Sequence, residues 1–322
     1  MIARSLFRIL SPAGARARLS VLIFHRVRER SDPLFPGEPD LRQFERQMGW
    51  LAHWFNVLSL PEAVQRLRAG NLPARAAAIT FDDGYADNFC IALPILRRLG
   101  LPATFFVSTG FLDGGRMWND TIIEAVRRSV APAMDLPGLG LRKLRVDTPE
   151  AKRAAIALLL SRLKYVPSDE RNTHAACVAE ASQADLPSDL MLTSSQIRAI
   201  GAAGMTLGAH TVSHPILARL AEDEAKMEIA ASKARLETLT NQRVVLFAYP
   251  NGKPGVDYGA REVRLVRECG FAAAFSSRKG VSTCASDPFQ LPRFTPWDRT
   301  PARWAYRLAD NLRSGQRNAA MA

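Results

Sequence analysis

Short apolar runs alternate along this chain with segments whose apolar residues recur at helical spacing. The runs are SVLIFHRV (20–27), AAAITFD (76–82), ATFFVST (103–109), MTLGAH (205–210), VVLFAYP (244–250), FAAAFSS (271–277) and QLPRFTP (290–296). Between them lie LRQFERQMGWLAHWF (41–55), ADNFCIALPILRRLG (86–100), SSQIRAIGAAG (194–204) and AEDEAKMEIAASKARLETLTN (221–241), each with the 3.6-residue recurrence of a helix. Strands that are apolar on both faces and separated by helices indicate a parallel sheet covered by helices. About seven such units suit a closed or nearly closed (β/α) barrel.

Residues 117–192 break this rhythm. WNDTIIEAVRRSV opens a helix, and the stretch that follows reads as an excursion and then more helix. It is too long for one barrel connection and is expected to be a helical insertion over one side of the barrel. The chain therefore divides into a basic N-terminal segment (1–19), a single barrel (20–300) carrying the insertion, and a basic C-terminal tail (301–322).

Composition adds limits more than identity. The chain has 322 residues, 47% of them hydrophobic, and a net charge of +12. The surplus attracts phosphates, acidic glycans or anionic lipid headgroups without selecting among them. The basic residues are scattered and no groove-reading motif accompanies them, so no nucleic-acid partner is expected. Peripheral contact with an anionic membrane surface through the first residues is compatible with Arg4, Arg8, Arg16 and Arg18. A poorly ordered terminus is the reading favoured for that segment. Its apolar stretch is split by Arg8, which makes a poor signal peptide, and no apolar run is long enough to span a bilayer. A cytoplasmic or membrane-peripheral location is the expectation. Cys90, Cys177, Cys269 and Cys284 are far apart and are read as four buried thiols.

The chemistry concentrates at two expected strand ends. Asp82 and Asp83 follow Ile79-Thr80-Phe81 directly and precede Gly84. Consecutive strand residues face opposite ways, so a turn at Gly84 is needed to aim both into one cavity. Two carboxylates sharing a site repel unless a cation lies between them, which predicts a metal. His210 and His214, four apart after the 205–210 run, are expected on one side of a helical turn that ends before Pro215. Two imidazoles and a carboxylate form the three-ligand set of a catalytic zinc site.

TFDDGY (80–85) together with HTVSH (210–214) resembles the signature of the polysaccharide deacetylases, carbohydrate esterase family 4, with the NodB homology domain. ATFFVSTGFL (103–112), LTSSQIRAIGAAGMTLGAHTVSHPIL (192–217) and LFAYPNG (246–252) extend the likeness over about residues 20–297. The resemblance implies a distorted (β/α)7 barrel. It also implies that Asp83, His210 and His214 bind a divalent metal, usually Zn2+, and that Asp82 is the general base. An N-acetylated glycan is the implied substrate, with a backbone N–H near Asn251 helping to stabilise the oxyanion.

The sequence departs from that family in two places. The third motif, usually Arg-x-Pro-Tyr, is here Ala248-Tyr249-Pro250-Asn251, so the arginine that orients the base is missing. Arg293, in LPRF, is the candidate replacement from a neighbouring strand. The family's late histidine is also absent, since none follows His214. Leu22-Ile23-Phe24-His25 resembles that motif transposed to the N-terminus, as in the deacetylases of biofilm poly-N-acetylglucosamine, and makes His25 the candidate general acid. His53 and His174 are read as packed or solvated. Tyr85, Trp118, Tyr249 and Trp297 are candidate sugar-stacking surfaces. A catalytically silent carbohydrate-binding barrel and a metal amidohydrolase for a small non-sugar amide stand as alternatives.

Overall fold

Nine strands and eleven helices are formed in the computed structural model, which describes residues 2–319. The strands are β1 (Ser20–Phe24), β2 (Asn56–Val57), β3 (Ala76–Phe81), β4 (Thr104–Val107), β5 (Ala133–Leu136), β6 (Leu141–Arg145), β7 (Thr206–Ala209), β8 (Leu246–Ala248) and β9 (Ala273–Phe275). Six of them make a curled parallel sheet in the order β1-β3-β4-β7-β8-β9, with β2 beside the start of β3. The expected seventh run, 290–296, forms bridges in place of a regular ladder. Leu291 pairs with Phe275 of β9 and Phe294 with Leu22 of β1, both in parallel. Pro292 and Pro296 lack the N–H groups that a longer ladder needs. This segment nevertheless joins the two sheet edges, and the α/β barrel expected from the pattern is present.

Alternation within the strands separates two cores. Leu22, Phe24, Ile79, Phe81, Phe105 and Val107 face the surrounding helices. One residue out of phase, Val21, Ala76, Ala78, Phe106, Leu246 and Phe275 pack against each other inside the ring. Alanines on β3 leave room in that interior for the large Phe106 and Phe275 rings, which lie 5.6 Å apart.

The helices are α1 (Ile2–Leu10), α2 (Leu41–Trp54), α3 (Leu60–Arg68), α4 (Leu93–Arg98), α5 (Trp118–Arg128), α6 (Pro149–Leu163), α7 (Ser168–Ser182), α8 (Ser194–Ala202), α9 (Glu222–Thr240), α10 (Ala260–Glu268) and α11 (Pro301–Ala319). Local chemistry sets several starts. Asp40 caps α2 by accepting from the Gln43 N–H at 2.8 Å, and Thr193 with Gln196 forms a capping box on α8. The insertion consists of α5, an antiparallel hairpin of β5 and β6, and then α6 and α7. It has its own small core of Ile122, Val126, Ile156, Leu159 and Val178. The hairpin is the part that the expectation of a purely helical excursion did not contain.

Both basic ends are structured. In α1, Phe7 is fully buried, 4.8 Å from the Phe55 ring and 5.9 Å from that of Trp54. This overturns the reading of a poorly ordered N-terminus. In α11, Trp304, Leu308 and Leu312, at i, i+4 and i+8, are buried in the outer core, so the basic tail is a docked helix through that point. Residues 320–322 of the expected tail lie outside the described residues. The cysteines are corrected too. Cys90, Cys177 and Cys284 are exposed on outward faces and Cys269 is half-buried. Among the described residues no helix is long and apolar enough to cross a membrane.

Candidate active site

Asp82 continues the interior phase of β3 set by Ala76, Ala78 and Thr80, so its carboxylate points into the mouth of the ring. Asp83 follows on the opposite face, and its φ of +76° turns the chain back so that it too reaches the mouth. Gly84 completes the turn at φ +89°, where an added Cβ would sit 3.0 Å from Val107 Cγ1. The backbone therefore stores strain to bring two consecutive acids to one place.

Arg293 lies two residues after Leu291, in the same interior phase, and is 1% exposed. Its Nη1 and Nη2 donate to the two Asp82 carboxylate oxygens, each at 2.7 Å. Its Nε donates to the Ser276 carbonyl and its Nη1 also reaches Thr80 Oγ1. Burial pushes the Asp82 pKa up, but the Arg293 guanidinium and then His210 outweigh it and hold the carboxyl below its usual range. The guanidinium missing from Ala248 is thus supplied from the segment that closes the barrel.

The histidine loop is not a helical turn. Thr211 and His214 take φ of +67° and +54°. The Thr109 and Gly110 N–H groups donate to the Thr211 and Val212 carbonyls, drawing the loop onto the end of β4. A Cβ at Gly110 would lie 2.8 Å from the Val212 oxygen, so this approach requires glycine. Glu228 on α9 accepts from the Val212 and Ser213 N–H groups at 2.8 Å each and from Ser213 Oγ at 2.7 Å. Pro215 and this pairing outcompete the i, i+4 geometry expected from spacing.

The loop brings three donors together. One ligand atom each from Asp83, His210 and His214 lies within 4.8 Å of the others. Asp83 Oδ1 is 3.3 Å from His210 Nε2 and 3.4 Å from His214 Nε2, and it is buried without a hydrogen-bond partner. His210 Nδ1 faces the Ala248 carbonyl at 2.7 Å, which can only accept, so the proton is on Nδ1 and Nε2 is free to ligate. Burial lowers His214 to about 4, whereas the close approach of the Asp83 carboxylate and then the charge of Asp82 outweigh burial at His210 and raise it. An orphaned carboxylate oxygen facing two imidazole Nε2 atoms is a donor set that fits a divalent cation.

His25 follows Phe24, whose carbonyl accepts the Asp82 N–H, and is therefore beside the aspartates. It is exposed, and its charge contributes to lowering both Asp82 and Asp83. Asn88 Nδ2 donates to the His25 carbonyl at 2.8 Å, fixing that strand end. Asn251, at φ +59°, is exposed past the end of β8. Trp297 is 53% exposed.

Two expected contact residues are in the core. Tyr249 is 1% exposed, donates its hydroxyl to the Phe289 carbonyl and stacks on Tyr258 at 3.7 Å. Tyr85 is buried, donates to Asp120 at 3.1 Å, and has the Arg26 guanidinium 4.4 Å over its ring. Neither ring is free to stack on a sugar. His53 is exposed, and His174 is near Glu170. Sequence reasoning missed Glu228 and Asp120, since both lie in ordinary-looking helical segments. The only local hint is Asp120 in Trp118-Asn119-Asp120, an acid at the buried start of a helix.

Comparisons with known proteins bear on the family and the fold. A family model described as polysaccharide deacetylase matches residues 69–133 and 168–274, together more than half of the chain. YxkH of Bacillus subtilis (strain 168), which is named for the same family, is 20% identical over 279 residues, covering 86% of this chain and 71% of that protein. The poly-beta-1,6-N-acetyl-D-glucosamine N-deacetylase of Staphylococcus epidermidis is 30% identical over 117 residues, covering 32% of this chain and 40% of the relative. The solved structure of IcaB from Ammonifex degensii superposes with a TM-score of 0.60 at 20% identity, over 94% of this chain and 98% of that one. At that identity the superposition speaks for the fold alone.

Proposed function

Because the chain belongs to the polysaccharide deacetylase family, we propose that it removes N-acetyl groups from a glycan by metal-dependent hydrolysis of the amide. The observation that carries this reading is the convergence of Asp83, His210 and His214 beside an Asp82 clamped by Arg293. Asp83 and the two Nε2 atoms would hold the cation, with Zn2+ favoured by the nitrogen-rich set. A cation there supplies Lewis acidity, lowering the pKa of a bound water and polarising the amide carbonyl.

The chain's own residues account for the proton movements. Asp82, kept ionised and aimed by its two Arg293 hydrogen bonds, accepts the proton of the attacking water. The same pairing makes it a weak base, so the transfer relies on an acidified water. A backbone N–H in the 249–251 turn donates to the developing oxyanion. His25, on the exposed side of Asp82, delivers a proton to the departing amine. Trp297 offers a ring face to the sugar, in place of the buried Tyr85 and Tyr249.

The departure at Ala248 would favour a silent binding barrel, and the pairing of Arg293 with Asp82 weighs against that alternative. The test is acetate release from chitotetraose by zinc-reconstituted protein, run beside Asp82→Asn. The expected result is turnover that disappears in the variant with zinc stoichiometry retained. Equal turnover in both would overturn the assignment of the base, and no acetate from any N-acetylated oligosaccharide would overturn the activity.

A further inference from the structure

Arg171 on α7 is, with Arg75, one of two buried arginines that pair with no carboxylate among the described residues, and it lines a cavity. It is 6% exposed, yet it is paired with no carboxylate among the described residues, and its Nε has no hydrogen-bond partner. Its donations among the described residues, to the Lys164 carbonyl and Ser168 Oγ, are stretched to 3.5 Å. Burial lowers its pKa with no acid to oppose the shift. A buried guanidinium that faces no carboxylate is a ready partner for an incoming anion.

The surroundings indicate where such an anion would sit. Arg171 lines a cavity of about 470 Å³ between α5, α7 and the histidine loop. The charged residues of its wall are Arg171 and Arg116, with no acid. Arg116 is likewise unpaired with a carboxylate, its Nε and Nη1 donating to Thr121 Oγ1 and the Pro187 carbonyl. Trp118 supplies an apolar ring, with the Arg171 guanidinium 4.9 Å above it. Asn172, Ser168 and Ser213 add neutral polar groups. Ser213 lies between the two ligating histidines in sequence, so the cavity opens beside the proposed metal centre. A neighbouring cavity of about 650 Å³ shares Ser168, Arg171 and Ser213 but has a mixed wall, with Asp169, Glu224 and Glu228 beside Lys164 and Arg219. The all-cationic wall therefore singles out the smaller cavity.

We propose that this cavity, built by the insertion, is an anion subsite that selects N-acetylated glycans bearing a carboxylate or phosphate close to the acetamido sugar being hydrolysed. Two guanidinium groups that face no carboxylate offer the N–H donors such oxyanions accept, and the Trp118 ring lies beneath the Arg171 guanidinium. The proposal rests on the deacetylase reading for its substrate and adds what that reading leaves open, the charge of the glycan.

The experiment measures binding separately from turnover. Titration calorimetry at low salt compares chitotetraose, a hyaluronan tetrasaccharide and N-acetylglucosamine 1-phosphate on the zinc-loaded Asp82→Asn protein. These probes are neutral, carboxylated and phosphorylated respectively. At least one acidic probe is expected to bind about tenfold more tightly than the neutral one, and which of the two does so identifies the anion. The preference should vanish in Arg171→Gln and weaken in Arg116→Gln, which carries the test if the buried variant does not fold. Arg142→Gln removes the same charge from the exposed hairpin and should keep the preference. Equal affinities for all three probes, no binding of either acidic probe, or a preference that survives both cavity variants would overturn the subsite. Acetate release from chitotetraose by the zinc-loaded native protein tests the deacetylase reading independently.

Discussion

Arg293 shows how one residue can restore a motif that the linear sequence has lost. Replacing it by alanine would leave Asp82 buried and uncompensated, with a destabilisation of about 3–5 kcal/mol expected by analogy with broken buried pairs. Since the guanidinium aims the base, kcat/KM for acetate release should fall by at least ~100-fold while zinc stoichiometry holds. Lysine keeps the charge but not the fork, so Arg293→Lys should recover only part of the loss. Asp120 makes the opposite case. Burial raises it to about 7, outweighing the downward pull of Arg26 and Tyr85, with smaller upward contributions from Asp83 and Glu124. The folded state therefore holds a proton that the unfolded chain releases near pH 4, and stability is lost as pH rises from about 4 to 7. Asp120→Asn, which keeps an acceptor for Tyr85, should flatten that slope. It should also stabilise the metal-free protein at pH 8 by about 2–4 kcal/mol in denaturant titrations. The ligands and the base were legible because Asp-Asp-Gly and His-x-x-x-His carry their chemistry in their residue types. Asp120 was not, because an acid becomes unusual only once the surrounding fold has buried it.

At the level of elements, strand starts and helix faces followed from apolar periodicity, whereas connections did not. The 133–145 hairpin escaped notice because Pro137, Gly138 and Gly140 read as an irregular excursion, and its strands are too polar to announce themselves. The histidine loop was misread for a different reason. Spacing of four suggests a helix, but hydrogen bonds to β4 and α9, both remote in sequence, decide its shape. Glu228 carries much of that decision. Glu228→Ala removes the acceptor for two loop N–H groups and one hydroxyl, and should weaken zinc binding by about 10- to 100-fold in chelator competition. Secondary structure by circular dichroism should be unchanged. Equal affinity would show that the contacts to β4 alone hold the imidazoles in register.

For the molecule as a whole, the ligand set ties metal to stability. Zinc at a hundredfold excess over its Kd should raise the unfolding free energy by about 2.7 kcal/mol, seen as a higher Tm that chelation reverses. The pH dependence has a definite sign. Burial leaves His214 neutral down to about 4, and Asp83 is held ionised, so His210 is the ligand that must give up a proton. Zinc affinity should therefore fall on acidification, close to tenfold per pH unit below the His210 titration. A hundredfold loss per unit would mean that both imidazoles release protons. The ring closure described above has one more outcome, in the order of synthesis. A nascent chain emerging from the ribosome exposes Asp82 and all three ligands long before residue 293 exists. Hydrolytic competence would thus arrive late, with the segment that seals the ring, and partial translation products would be metal-loaded yet idle; acetate release by chains stalled before residue 290 would contradict that timing.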